Sequence, residues 1–209
     1  MISFAEARAL VLAHAQPLDA ERVELESLLG RYLATEVRSP VDIPFFGSSA
    51  MDGFGVRVAD VAAASREAPT ALRVLSTVRA GDAVESELLP GAAVKLLTGA
   101  PVPPGVEAVV MKEQTEERDG TVLVCGPAEP GENVRRRGEE FRAGDAVLPA
   151  GALATPAVMG LLASLGYGAF EAHRRPRVTV IVTGSELVQP GQQRGSAQIY
   201  DANSWSVML

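Results

Sequence analysis

The stretch LLTGAPVPPGVEAVVMKEQTEERDGTVLVCG, residues 96–126, decides how this chain is read. It is a succession of short apolar runs, none long enough for a helix of ordinary length. EAVVMKEQTEE (107–117) and TVLVCG (121–126) carry the runs, and PVPPG (101–105) and ERDGT (117–121) break them. Short runs rich in Val and Thr, closed by Gly and Pro at close intervals, predict strands joined by turns. Working upstream, ALRVLSTV (71–78) and AAVKLLTG (92–99) repeat the texture, with AGDAV and LPGAA between them. Downstream, AGDAVLPAGALA (143–154) is again a Gly turn leading into a short strand. From about 45 to 145 the chain therefore reads as a compact antiparallel sheet or barrel.

The flanks have a different period. Ser3 and Glu6 stand at capping-box spacing, and Phe4, Ala7, Leu10, Val11 and Ala15 follow at helical intervals. ERVELES (21–27) alternates as a short strand does. LLGRYLATEV (28–37) reads as a second helix, ending near Val37 ahead of Pro40 and Pro44. TPAVMGLLASL (155–165) predicts another helix, with Thr155 as N-cap, Pro156 in the first turn and Gly166 as the stop. In RPRVTVIVTGSEL (175–187), Val178, Val180, Ile181 and Val182 form the near-continuous apolar run of a parallel strand buried on both faces. A loop and a helix start, YDANSWSVML, are expected after it. One strand and part of a helix cannot bury themselves, so the chain reads as the front part of a longer protein.

The fold class is thus α+β and multidomain. Residues 1–44 with 146–175 form a discontinuous helical and extended domain. Residues 45–145 are an inserted β-rich, barrel-like domain, and 176–209 are the incomplete start of an α/β domain.

The totals fit a folded chain and exclude some partners. Of 209 residues, 47% are hydrophobic and 22% charged, enough apolar material for a core. A net charge of −7 argues against a general nucleic-acid or anionic-membrane surface, which would need clustered Lys and Arg. One cysteine, Cys125, cannot close an internal disulfide or build a thiolate metal cage, and in TVLVCG it reads as a small core residue. His14 and His173 are too few and too far apart for a histidine metal site. The first residues lack a basic start and an apolar block, and no run reaches the roughly 18 apolar residues of a membrane helix. The expected setting is the cytoplasm.

Several residues can carry chemistry. Asp52 lies in PFFGSSAMDGFGV (44–56), a lone carboxylate among glycines and aromatics, open to reading as an Asp-Gly turn or as a ligand-accessible acid. Thr98-Gly99 ends a strand, either in a Pro-rich turn or as a hydroxyl and backbone donor for an oxyanion. Arg135, Arg136 and Arg137 in ENVRRRGEE (132–140) suit a phosphate or a solvated hinge. Thr183, Gly184 and Glu186 follow the expected buried strand, where open α/β sheets bind ligands. Asp201 and Asn203 read as a helix cap or as ligand contacts.

Taken together and in order, SAMDGF, LLTGAPVPPGVEAVVMKEQTE, NVRRRGEE, LASLGY, RPRVTVIVTGSEL and QIYDANS resemble the molybdopterin molybdenumtransferases, the MoeA-type enzymes that include the gephyrin E domain. The resemblance covers essentially the whole chain and makes 176–209 the start of a molybdopterin-binding domain. It implies insertion of molybdenum from molybdate into adenylated molybdopterin, with release of AMP and help from Mg²⁺. It implies a homodimer whose cleft joins the β-rich domain of one subunit to the α/β domain of the other. Partners would include the enzyme that adenylates molybdopterin and the molybdoenzymes that accept the cofactor. By this resemblance Asp52, Thr98 and Glu186 are catalytic. Ser49, Gly53, Gly99, Arg135, Arg136, Arg137, Thr183, Gly184, Asp201 and Asn203 bind the substrates, and Asp52, Glu186 and Asp201 hold the metal. Position 47 is Gly where the family often has Asp, Gly55 replaces Ala, and Ser185 and Glu140 replace Asp. The family's later phosphate and pterin loops fall after Leu209, so the 209-residue chain alone is expected to insert little or no molybdenum. The alternative is a non-catalytic dimerisation or binding module of the same family.

Overall fold

In a computed structural model, which describes residues 2–84 and 87–208, the elements run in chain order as follows. They are α1 (Phe4–His14), β1 (Ala20–Glu24), β2 (Val37–Arg38), β3 (Ser48–Ser49), β4 (Gly53–Val56), α2 (Val58–Val61), β5 (Thr70–Val78), β6 (Ala92–Leu96), β7 (Ala108–Met111), β8 (Thr115–Arg118), β9 (Thr121–Val124), β10 (Val134–Arg135), β11 (Ala146–Leu148), α3 (Pro156–Ser164), β12 (Ala169–His173), β13 (Leu187–Val188), β14 (Ile199–Tyr200) and α4 (Asn203–Met208). Two units separate, one of them Arg22–Ala172 and the other made of the stretches on either side of it.

The first unit is built on a mixed six-stranded sheet in the order β7-β4-β6-β5-β9-β8. The short apolar runs form these strands, but the sheet is not wholly antiparallel. β5 and β6 pair in parallel, Arg73 opposite Ala92 and Val78 opposite Leu96. A parallel pair needs a long crossover, and the connection over 79–91 supplies one. The tight ERDGT turn does what its residues predict. Asp119 (φ 48°) and Gly120 (φ 75°) both adopt positive φ, and β8 and β9 close as a hairpin with Arg118 opposite Thr121.

Period-two alternation sends successive residues to opposite faces of this sheet, and both faces are covered. Phe54, Leu72, Ala93, Val110, Val122 and Val124 join one core. Val78, Ala92, Val94, Leu96 and Val109 join the other. Strand β4, hydrogen-bonded to β6 on one side and β7 on the other, is buried along its whole length.

A third apolar cluster takes its residues from either side of that sheet in the sequence. It gathers Val23, Leu28, Leu33 and Val37 with Ala154, Leu162, Leu165, Phe170 and Ala172. Helix α3 starts as expected, with Thr155 accepting from Val158 N at 3.3 Å and Pro in its first turn. Gly166 follows in the left-handed region at φ 86°. The Tyr167 and Phe170 rings meet edge-on at 5.2 Å, and the Tyr167 hydroxyl donates to Arg38 O at 2.7 Å.

The second helix expected over 28–37 does not form. Leu28, Leu33 and Val37 are buried as a helix face would bury them, but through an irregular, extended path. Gly30 N donates to Ala154 O at 2.8 Å, Leu33 N to Ala152 O at 2.9 Å and Ala34 N to Glu171 O at 2.9 Å. Tertiary pairing satisfies the backbone that a helix would have satisfied internally, and Gly30 at φ 75° turns the chain into that path.

In the other unit α1 forms with its capping box complete. Glu6 N donates to Ser3 Oγ at 3.2 Å and Ser3 N to Glu6 Oε2 at 2.7 Å. None of its residues is buried. The buried strand expected over 178–182 is also not formed, and Val178 and Ile181 are 76% and 81% exposed. A parallel strand exists only against a neighbour, and no described residue pairs with this run. The parallel pair that does form is short and lies further on, Leu187 opposite Ile199 and Val188 opposite Tyr200. No helix among the described residues is long and apolar enough to cross a membrane.

Candidate active site

Asp52 stands immediately before β4, where the chain enters the large sheet. The loop leading to it is strapped by backbone hydrogen bonds. Val102 N donates to Gly47 O, Ser49 N to Ala100 O, Gly99 N to Ser49 O, and Ala50 N to Asn133 O, all at 2.8–2.9 Å. β3 also pairs with β10, so that Ser48 faces Arg135 and Ser49 faces Val134. Ser49 is buried, and its hydroxyl donates to Met51 O at 2.6 Å. Of the aromatics around Asp52, Phe54 is buried at 2% exposure. Phe45, Phe46 and Met51 keep 40–54% of their surface open.

The glycines after Asp52 are dictated by close packing of backbones. A Cβ on Gly53 would lie 2.1 Å from Val110 O, and one on Gly55 would lie 2.9 Å from Val106 Cγ1. A side chain at Gly53 must move the β7 backbone, whereas one at Gly55 must shift the Val106 and Leu96 side chains.

Strand β4 thus fixes the Asp52 backbone, and its neighbours supply the donors. The end of β6 brings up Thr98, whose N–H and hydroxyl both donate to Asp52 Oδ1 at 2.8 Å. On the other side, Gly53 pairs with Met111 across β4 and β7, which puts Lys112 beside Asp52. Lys112 N donates to Asp52 O at 3.1 Å, and its ammonium lies 3.4 Å from Oδ2. The Thr98 backbone and hydroxyl donors, with a smaller part from Lys112, hold the Asp52 carboxyl below its usual pKa. The group is ionised near neutrality and still partly open to solvent, at 41% exposure of its side chain.

The Arg135 and Arg137 side chains are engaged by acids, and Arg136 is engaged through its backbone. Arg135 Nε donates to Glu139 at 3.0 Å, and its guanidinium also pairs with Glu140. Arg137 Nε donates to Asp42 Oδ2 at 2.7 Å, while Arg136 N donates to Glu139 Oε2 at 2.8 Å. An arriving phosphate would have to compete with these carboxylates.

Thr183, Gly184, Glu186, Asp201 and Asn203 belong to the other unit. Glu186 is exposed and its carboxylate folds back over Gly184, where a Cβ would meet Oε1 at 2.8 Å. Asp201 is buried just before α4, and the hydroxyl and N–H of Ser204 donate to it at 2.5 and 3.0 Å. That is a helix-start cap, and the Ser204 hydroxyl is the main cause of the carboxyl's lowered pKa. Asn203 is the first residue of α4.

The donor set at Asp52 does not make a divalent-cation site. Oδ1 already accepts two hydrogen bonds, and Oδ2 faces an ammonium. Among the described residues, no three His, Cys, Asp or Glu side chains are grouped to hold a metal ion. Sequence reasoning missed Lys112. The signal was the pairing of GFGV with AVVM, because the antiparallel register that sets Gly53 against Met111 also sets Asp52 against Lys112.

A family model described as "MoeA N-terminal region (domain I and II)" matches residues 2–166. The chain belongs to the MoeA family. The molybdopterin molybdenumtransferase of Haemophilus influenzae is 37% identical over 211 residues, covering 100% of this chain and 51% of its own length. Molybdopterin molybdenumtransferase 2 of Mycobacterium tuberculosis is 42% identical over 182 residues, covering 87% and 45%. A crystal structure of the molybdopterin biosynthesis MoeA protein from Pyrococcus horikoshii OT3 superposes with a TM-score of 0.91 at 32% identity, over 100% of this chain and 56% of that one. The chain thus has a MoeA-like fold and spans about half the length of the curated relatives it matches.

Proposed function

We propose that this chain serves molybdenum cofactor biosynthesis as part of a molybdopterin molybdenumtransferase, a cytoplasmic homodimer. The reaction inserts molybdenum from molybdate onto the dithiolene of adenylated molybdopterin and releases AMP. The observation that carries this reading is the Asp52–Thr98 pair, an ionised carboxylate held by two short hydrogen bonds at a strapped loop, in a chain whose relatives bear that enzyme name. Both substrates are anions, so the site must place them despite mutual repulsion. Asp52 fixes the Lys112 ammonium beside the Thr98 turn; the Thr98 hydroxyl proton is spent on Oδ1, so the ammonium is the donor at this position able to meet an oxyanion. Glu186 and the Thr183-Gly184 backbone are proposed as substrate contacts from their own unit. We further read 45–145 as an inserted domain, supported by the separation of the apolar cores along the sequence. The enzyme that adenylates molybdopterin is the proposed supplier, and molybdoenzymes are the proposed acceptors.

The test is direct. A complete enzyme that carries this chain is incubated with adenylated molybdopterin, with and without molybdate, beside the 209-residue chain alone, and AMP release and molybdenum cofactor are measured. Molybdate-dependent release of AMP with cofactor formation is expected from the complete enzyme, and little or none from the 209-residue chain alone. Binding of the pterin nucleotide with no conversion by the complete enzyme would leave the chain as a non-catalytic module of the family.

A further inference from the structure

We propose that at Asp52 the positive charge expected from a divalent cation is supplied by Lys112, so that this carboxylate holds no metal. The inference rests on the reading of Asp52 as a site group, and three observations carry it. First, Lys112 is bound to this position by the sheet. Its N–H donates to Asp52 O at 3.1 Å, beside the Gly53–Met111 pair of β4 and β7. The ammonium is therefore tethered within reach of the carboxylate, at an effective concentration that a free ion must overcome.

Second, the oxygens are already allocated. Oδ1 takes both Thr98 donors at 2.8 Å, and Oδ2 has Lys112 Nζ at 3.4 Å. A magnesium ion would need to sit at about 2.1 Å from a carboxylate oxygen with near-octahedral partners. At Oδ2 it would stand against the ammonium, and two positive charges at such a separation repel.

Third, the described residues of one chain bring no cluster of further acids to Asp52. No cluster of three acidic, His or Cys side chains among the described residues supplies the further ligands that would favour the ion over the ammonium. The acids nearest in sequence after Lys112 are Glu113, Glu116 and Glu117, and Glu117 is paired with Lys95. The resulting Asp52–Lys112 pair is neutral. Two of the three ammonium donors remain to face an incoming oxyanion, which a bare Asp52 would repel.

Manganese serves as the probe, with free Mn²⁺ counted by electron paramagnetic resonance during titration of the protein in the absence of substrate. Asp52→Asn is expected to leave the Mn²⁺ isotherm unchanged when Lys112 is present. Lys112→Gln, which frees Oδ2 but adds no further ligand, is expected to gain a weak Mn²⁺ association that disappears in the Lys112→Gln, Asp52→Asn double variant. Lys112→Arg, which keeps the charge, should bind as the unsubstituted protein does. Loss of Mn²⁺ binding in the Asp52→Asn single variant would overturn the proposal. So would a Lys112→Gln variant, folded by circular dichroism, that gains no Asp52-dependent ion. These readouts need no molybdenum chemistry, so their failure is distinct from failure to insert molybdenum.

Discussion

Asp52 shows how little of a residue's role lies in the residue itself. An Asp-Gly pair is common in turns; what sets this one apart is two donors from Thr98, just past β6, and one from Lys112, just past β7. Its folded-state pKa lies below the ordinary value. The associated stability is therefore fully present above that ordinary value and is lost as the pH falls through the lowered one. Thr98→Val removes one of the two main donors, so the Asp52 carboxyl should titrate at higher pH. Carboxylate-carbon NMR titration would read the shift, and an unmoved Asp52 would show that the Thr98 hydroxyl contributes nothing. Gly53 makes a steric prediction at the same scale. Gly53→Ala must displace Val110 O, which an added Cβ would meet at 2.1 Å. We expect a loss of at least about 2 kcal/mol from overpacking, seen as a lower urea midpoint. At Gly55 the Val106 and Leu96 side chains occupy the space that a methyl would need.

At the scale of elements, sequence reasoning succeeded where the signal is local. The capping box of Ser3 and Glu6, the Thr155-Pro156 start of α3 and the Asp119-Gly120 hairpin each depend on neighbours within a few residues, and each formed. Gly120→Ala should cost about 1–2 kcal/mol, the penalty of a left-handed residue with a Cβ, measurable by chemical denaturation. Two failures share a different cause. Residues 28–37 have helical spacing, yet their backbone groups pair with 152–154 and 171, partners more than a hundred residues away that no local pattern reveals. The run 178–182 has the composition of a buried strand, but composition cannot provide a neighbour to pair with. The candidate site divides in the same way. Asp52 and Thr98 stood out in the sequence because Gly and Pro surround them. Lys112, inside an ordinary strand end, becomes visible only through the register of β4 and β7.

At the scale of the molecule, the sheet core and the core around α3 use different stretches of chain, so they can be tested separately. Leu162 is fully buried in the latter, and Leu162→Ala should cost about 2–5 kcal/mol while the Asp52 carboxyl keeps its depressed titration. A shift in both would show that the two cores are one cooperative structure around the site. The proposed chemistry depends on the sheet presenting Asp52, Thr98 and Lys112 together, in a fold that superposes on a MoeA protein at a TM-score of 0.91. The most direct measurement is molybdate-dependent AMP release from adenylated molybdopterin by a complete enzyme that carries this chain and by its Asp52→Ala variant, with circular dichroism to confirm that both are folded. The expected result is conversion by the first and a fall of about a hundredfold in the second, the size of effect seen when a preorganised polar group is lost. Equal conversion by both would contradict the assignment of the site to Asp52.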